Sequence, residues 1–248
     1  LEGSSSNPLL LTNPAPIAIN DHPATASPYP SVIRVKCVPG ILTGLTVTLN
    51  GISHSYPDDV DILLVNPAGQ AIKLMSDAGG GAPIVDLRLG FDDAASRVLF
   101  NESQLTNGVF RPSDYNEDGL DVFPGPAPGG TYATNLAQLT GLVPNGNWML
   151  YVLDDALADG GGIARGWSMQ LSWEAAPARF SGMGFLSNGH FEMRLSGVAG
   201  RTHMVEASSD LEVWTPIATN NVSTDTFIVV DPQASNFPQR FYRAVLCP

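Results

Sequence analysis

Two stretches decide the fold: Val60-Asp61-Ile62-Leu63-Leu64-Val65 and Trp167-Ser168-Met169-Gln170-Leu171-Ser172-Trp173. In an extended chain successive side chains point to opposite faces, so Val60, Ile62 and Leu64 share one face while Asp59, Asp61 and Leu63 take the other. Trp167, Met169, Leu171 and Trp173 repeat the alternation. A period of two is the mark of a strand. Working outward, Val32–Val35, Leu45–Leu49, Ala71–Met75, Val85–Leu89 and Trp148–Leu153 read the same way, with Gly or Pro recurring about every ten residues between them. That spacing predicts an antiparallel β-sandwich, and Asp92–Phe100 is the one stretch read as a short helix or turn.

Composition agrees. The chain of 248 residues holds 25 Gly and 20 Pro, both of which break helix interiors. Its apolar fraction of 44% and mean hydropathy of +0.05 supply a core, and charged residues at 15% are too few for a disordered chain. Apolar runs such as Ile62–Val65 fall far short of the ~20 residues of a spanning helix. No membrane span is therefore expected.

The net charge of −12 is unevenly spread. Residues 1–175 carry a net −11 and the remainder −1, counting Lys and Arg against Asp and Glu. Nucleic acid is an unsuitable partner, because phosphate binding needs clustered Lys and Arg. Short carboxylates in turns either cap those turns or ligate a hard cation such as Ca²⁺. Two cysteines, Cys37 and Cys247, exclude a paired-cysteine zinc site and a CxxC motif; they are expected to be bridged to each other or both unreactive. Leu1–Ser6 has neither a basic nor an apolar signal region and reads as a leftover tag or a point downstream of a removed signal.

A stretch rich in Pro, Gly, Asp and Asn, from Asn107 to Tyr132, is too long for a hairpin loop. Glu174-Ala-Ala-Pro-Ala-Arg179 reads as a linker, which divides the chain into residues 1–176 and 177–248. The second part is expected to be a smaller β-sandwich-like domain, with strands at Phe191–Ser196, His203–Ala207, Trp214–Ala218, Phe227–Val230 and Phe241–Val245.

His54-Ser-Tyr-Pro-Asp-Asp59-Val-Asp-Ile-Leu-Leu64, with Asn66-Pro67-Ala-Gly69 after it, resembles the P-domain of kexin- and furin-like proprotein convertases. Gly146-Asn-Trp148-Met-Leu150-Tyr-Val152-Leu-Asp154, Asp159-Gly-Gly-Gly-Ile163 and Gly166-Trp167-Ser-Met-Gln-Leu171 are similar to that family's closing pattern. The resemblance covers residues 28–174 and implies a jelly-roll-like β-sandwich. Asp58 stands where the family often has Gly, and the long loop is more acidic than in the eukaryotic members. Tyr-Pro-Asp-Asp, Ser-Asp-Ala-Gly-Gly-Gly and Pro-Gly-Pro-Ala-Pro match the versions found in large secreted bacterial proteins. The segment from Gly200 to Trp214, with Arg240-Phe-Tyr-Arg243, resembles a small β module frequent in bacterial surface proteins.

Two sets of carboxylates are candidate Ca²⁺ ligands. Asp114, Asn116, Asp118 and Asp121 place oxygen donors as in the first half of an EF-hand loop, but position 12 is Gly125, which excludes an EF-hand while leaving an isolated Ca²⁺ loop. The second set is dispersed over Asp58, Asp59, Asp77, Asp92, Asp93, Asp154, Asp155 and Asp159; an oxygen site forms if Asp59, Asp77 and Asp92 reach one rim. Solvated or turn-capping carboxylates are the alternative for both. Trp148 and Trp167 are expected in the core, and His54 beside the Asp59 strand with a backbone or carboxylate partner.

No catalytic constellation appears. There is no Gly-x-Ser-x-Gly, no His-Glu-x-x-His and no Walker loop; Gly79–Gly81 lacks the following Lys and reads as a flexible turn. No carboxylate pair is selected by spacing for glycoside hydrolysis. Asn101-Glu-Ser103 and Asn221-Val-Ser223 are chance-level glycosylation sequons. The expectation is a non-catalytic binding, adhesion or stabilising module of a secreted or cell-surface protein, meeting an extracellular ligand or a neighbouring domain. The alternative is the accessory C-terminal region of a secreted subtilisin-like protease or other hydrolase.

Overall fold

The computed structural model describes residues 8–36, 38, 40–115, 121–175, 178–197 and 202–246. Cys37 and Cys247 lie outside them, as do Asn116 and Asp118. The chain divides into two compact units, Leu1–Val38 with Leu42–Trp173, and Pro39–Ile41 with Glu174–Pro248. Both are all-β, and among the described residues there is no α-helix.

Along the first unit run β1 (Leu9–Asn13), β2 (Ile17–Ile19), β3 (Ser31–Val35), β4 (Gly40–His54), β5 (Val60–Val65), β6 (Ala71–Ser76), β7 (Ile84–Phe91), β8 (Gly108–Phe110), β9 (Ser113–Asp114), β10 (Gly146–Asp154), β11 (Gly161–Ile163) and β12 (Trp167–Ala175). One sheet has the order β1-β12-β4-β11-β2, with β7 also paired to β4 and β8 to β7; the other has the order β3-β10-β5-β6-β9. The two enclose a common core that includes Leu49 and Trp167 from one sheet and Ile62 and Trp148 from the other. This is a β-sandwich. Each indole N–H finds an acceptor inside it: Trp148 Nε1 donates to the Pro144 carbonyl at 2.9 Å and Trp167 Nε1 to Ser31 Oγ at 3.0 Å. A large apolar ring is thus buried without stranding its donor.

Asp92–Phe100 is not helical. It forms turns in which the Asp92 carboxylate accepts from the Ala94 N–H at 2.8 Å and from Thr46 Oγ1 at 3.0 Å. The Gly79–Gly81 run is more specified than a flexible turn. Gly79 and Gly80 have φ of +107° and +53°, and a Cβ on Gly81 would come within 2.7 Å of the Tyr56 ring.

The second unit holds β13 (Arg179–Phe185), β14 (Phe191–Ser196), β15 (Thr202–Ser208), β16 (Thr215–Asn221), β17 (Thr226–Asp231) and β18 (Phe241–Leu246). They form two three-stranded sheets, β13-β14-β17 and β16-β15-β18, closed on Met193, Leu195, Val205 and Val229.

Every residue of β5 is buried, because the sheet containing it is covered on both faces. Leu63, Val65, Tyr151 and Leu153 point away from the common core and pack with Phe123, flanked by Tyr29, Ala127 and Tyr132. The Pro-rich segment after Asp121 therefore lies over the outer face of this sheet, where Tyr29 donates to the Pro124 carbonyl and Tyr132 to that of Pro128. A long loop gains order in this way from apolar contacts of its own.

Candidate metal centre

Polar residues gather at one end of that covered face. On β6, Ile72 and Leu74 enter the common core while Lys73 turns outward. The ladder passes from Ile62↔Met75 to Leu63↔Lys73, so Leu74 is the extra residue of a bulge and Met75 also joins the core. Beyond the bulge lie Ser76, next to Asp114 across the parallel β6–β9 pairing, and Asp77, whose φ of +49° is a left-handed conformation that Asp tolerates. Asp61 comes from β5, Asp155 follows β10, and Asp121 opens the covering segment.

Lys73 Nζ donates to Asp114 Oδ2 at 2.6 Å, to Asp121 Oδ2, and to Ser76 Oγ at 3.3 Å. Ser76 Oγ donates to Asp121 Oδ2 at 2.7 Å. Two overlapping groups of carboxylates result, Asp61 with Asp121 and Asp155, and Asp77 with Asp114 and Asp121; within each, one oxygen per residue lies within 4.8 Å of the others. The centre is deep on one side and partly open on the other: Asp61 is 1% exposed and the side chains of Asp121 and Lys73 are 1% and 5% exposed, whereas the Asp114 side chain is 20% exposed and Asp155 is half-buried.

The charges are poorly matched. Burial pushes the Asp61 carboxyl well above the ordinary range, and repulsion from Asp121 and Asp155 pushes it further, against a pull downward from the Ser76 hydrogen bond. Burial alone would lower the Lys73 ammonium, but its bonds to Asp114 and Asp121 outweigh this and leave it raised. Asp61 Oδ2 and Asp114 Oδ1 are buried with no hydrogen-bond partner among the described residues. An orphaned carboxylate oxygen costs several kcal/mol of lost solvation in general terms, about 1–3 kcal/mol even for a neutral group. A divalent cation would answer both the missing partner and the repulsion. Both groups offer oxygen alone, which suits a hard ion such as Ca²⁺.

Of the residues singled out in the sequence, Asp77, Asp114 and Asp121 come together here, joining members of both proposed sets. Asn116 and Asp118 fall outside the described residues. The remaining two do not share the centre, since neither group contains Asp59 or Asp92. Asp92 is occupied in its own turn. Asp59 belongs to a second acidic neighbourhood at the same end of β5, two residues before Asp61; burial, then Asp154, Asp159 and Asp58, lift its carboxyl to about 6, with His54 pulling the other way. There His54 Nε2 lies 3.2 Å from Asp154 Oδ2, and Nδ1 lies 2.8 Å from the Tyr56 carbonyl. Both side chains of the His54–Asp154 pair are fully buried. Sequence reading passed over Asp61, Lys73 and Ser76, and counted Asp155 only among dispersed turn residues. The available signal was a lone Asp and a lone Lys, each inside an otherwise apolar strand, on two strands joined by the five-residue turn Asn66-Pro67-Ala68-Gly69-Gln70.

No family model matches the chain, and no curated protein does. Among solved structures, it is similar to the glycoside hydrolase domain of Endo-D from Streptococcus pneumoniae R6, at 7% identity and a TM-score of 0.24, over 86% of this chain and 27% of that one. It is also similar to a GH2 β-galacturonidase from Eisenbergiella tayi, at 11% identity and a TM-score of 0.22, over 97% of this chain and 41% of that one. The chain spans less than half the length of either. Among the described residues, no helix is long and apolar enough to cross a membrane.

Proposed function

We propose that residues 1–176 form a calcium-stabilised, non-catalytic module of a secreted or surface protein, P-domain-like in character, that engages an extracellular ligand or a neighbouring domain of a longer chain. The observation that carries this is Asp61, a buried carboxylate grouped with Asp121 and Asp155, whose Oδ2 has no hydrogen-bond partner among the described residues. The ion links two strands of the sandwich to the segment that covers them. The depth of Asp61 and of the Asp121 side chain, each 1% exposed, supports a structural role over a catalytic one, because a catalytic ion needs an open position. Extracellular calcium modules hold the ion at about 10⁻⁴–10⁻³ M, which suits a site that stabilises a secreted fold.

The test is thermal unfolding in chelator and in millimolar calcium. Binding to the folded state alone adds RT ln(1 + [L]/Kd), about 2.7 kcal/mol at a hundredfold excess over Kd, so the melting temperature rises with free calcium. Identical melting curves under the two conditions reject the calcium reading.

A further inference from the structure

We propose that the Lys73 ammonium holds the place of a second divalent cation, so that Lys73 sets the capacity of this centre at one ion. The inference rests on the reading of Asp61, Asp121 and Asp155 as the ligands of that one ion. The two carboxylate groups share Asp121, which makes the centre a pair of adjoining poles. At the pole of Asp77, Asp114 and Asp121, the three N–H donors of Lys73 meet three oxygens, those of Asp114, Asp121 and Ser76. The ammonium therefore stands where oxygens already converge. Its position is fixed from behind, since β6 pairs Lys73 with Leu63 and the Lys73 backbone N–H donates to the Ala133 carbonyl at 2.9 Å.

A monovalent group serves that pole incompletely. Asp114 Oδ1 stays buried without a partner among the described residues, so the pole keeps an oxygen for a cation of higher charge. Five carboxylates against one ammonium carry a formal charge of −4, and one Ca²⁺ brings this to −2. With Lys73 replaced by an uncharged side chain, one ion would leave −3 and a second would bring the centre to −1. Compaction of charge on this scale favours uptake of the second ion.

Equilibrium dialysis against calcium, with metal analysis of the protein, counts the ions. The wild type is expected to hold one, Lys73→Met two and Lys73→Arg one, because Arg restores the positive charge. An equal count on the wild type and Lys73→Met overturns the role given to Lys73. No calcium on the wild type instead overturns the ion site itself, so the two failures are separate. Should Lys73→Met fail to fold, Asp114→Asn in the wild-type background serves: it alters the Lys73 pole alone, and the count of one is expected to persist. Loss of that ion in Asp114→Asn contradicts the division into two poles.

Discussion

Two acidic neighbourhoods flank Val60 at the start of β5, one containing Asp59 and Asp154 and the other Asp61 and Asp155, and they differ in how their oxygens are answered. Around Asp59, protein donors are present: Asp154 faces His54 and the Ala156 N–H, Asp58 accepts from the Gly80 N–H at 3.2 Å, and Asp159 accepts from Ser55 Oγ at 2.6 Å. Around Lys73, whose ammonium meets Asp114 and Asp121, two buried carboxylate oxygens, Asp61 Oδ2 and Asp114 Oδ1, have no hydrogen-bond partner among the described residues. Both regions are rich in Asp, so the number of acids does not separate them. What separates them is that buried carboxylate oxygens near Lys73 lack a donor among the described residues, and that lack is the physical argument for an ion.

The largest expected effect breaks the self-sufficient neighbourhood. Asp154→Ala leaves the buried His54 without its carboxylate, and loss of one partner of a buried pair costs about 3–5 kcal/mol. Chemical denaturation should show this cost with the calcium response retained; a loss below 1 kcal/mol, on the order of an exposed pair, would mean the two regions are not as different as drawn. Next comes Asp61→Asn. It should remove the calcium-dependent stabilisation, about 2.7 kcal/mol at a hundredfold excess over Kd, and leave the protein in chelator at least as stable as the wild type, because a desolvated carboxylate is gone. A variant that still responds to calcium like the wild type would move the ion elsewhere.

The smallest effect is a slope. The Asp59 carboxyl is lifted from 3.8 to about 6 in the fold, so between those values the folded state binds more protons than the unfolded chain. Stability from this group is therefore present at low pH and declines as pH rises through about 4 to 6. Asp59→Asn should flatten that decline and stabilise the protein near neutral pH. An unchanged profile in chelator would show that Asp59 ionises freely.

The strands were legible where alternation was strong. Val60–Val65 and Phe191–Ser196 are strands over those same residues, and Val60, Ile62 and Leu64 do share the core face. Short strands such as β2, β8 and β11 were not, since three residues are too few to display a period. The site was half legible. Asp114 and Asp121 announced themselves through local density, and Asp77 through its turn. Asp61 did not, because an Asp alternating with core residues reads as facing solvent until a loop some 60 residues on is known to cover it. Pairing of β5 with β6 brings Asp61 near Lys73, and folding of the Pro-rich segment supplies Asp121. Both are long-range events that spacing along the chain does not encode.

The central claim is the place of the ion, and a crystal structure of the wild type grown in calcium addresses it most directly through the anomalous signal. The expected result is a peak with carboxylate oxygens of Asp61, Asp121 and Asp155 at about 2.3–2.6 Å, beside an undisturbed Lys73. A centre that stays empty at saturating calcium, or a peak ligated by other residues, would contradict it.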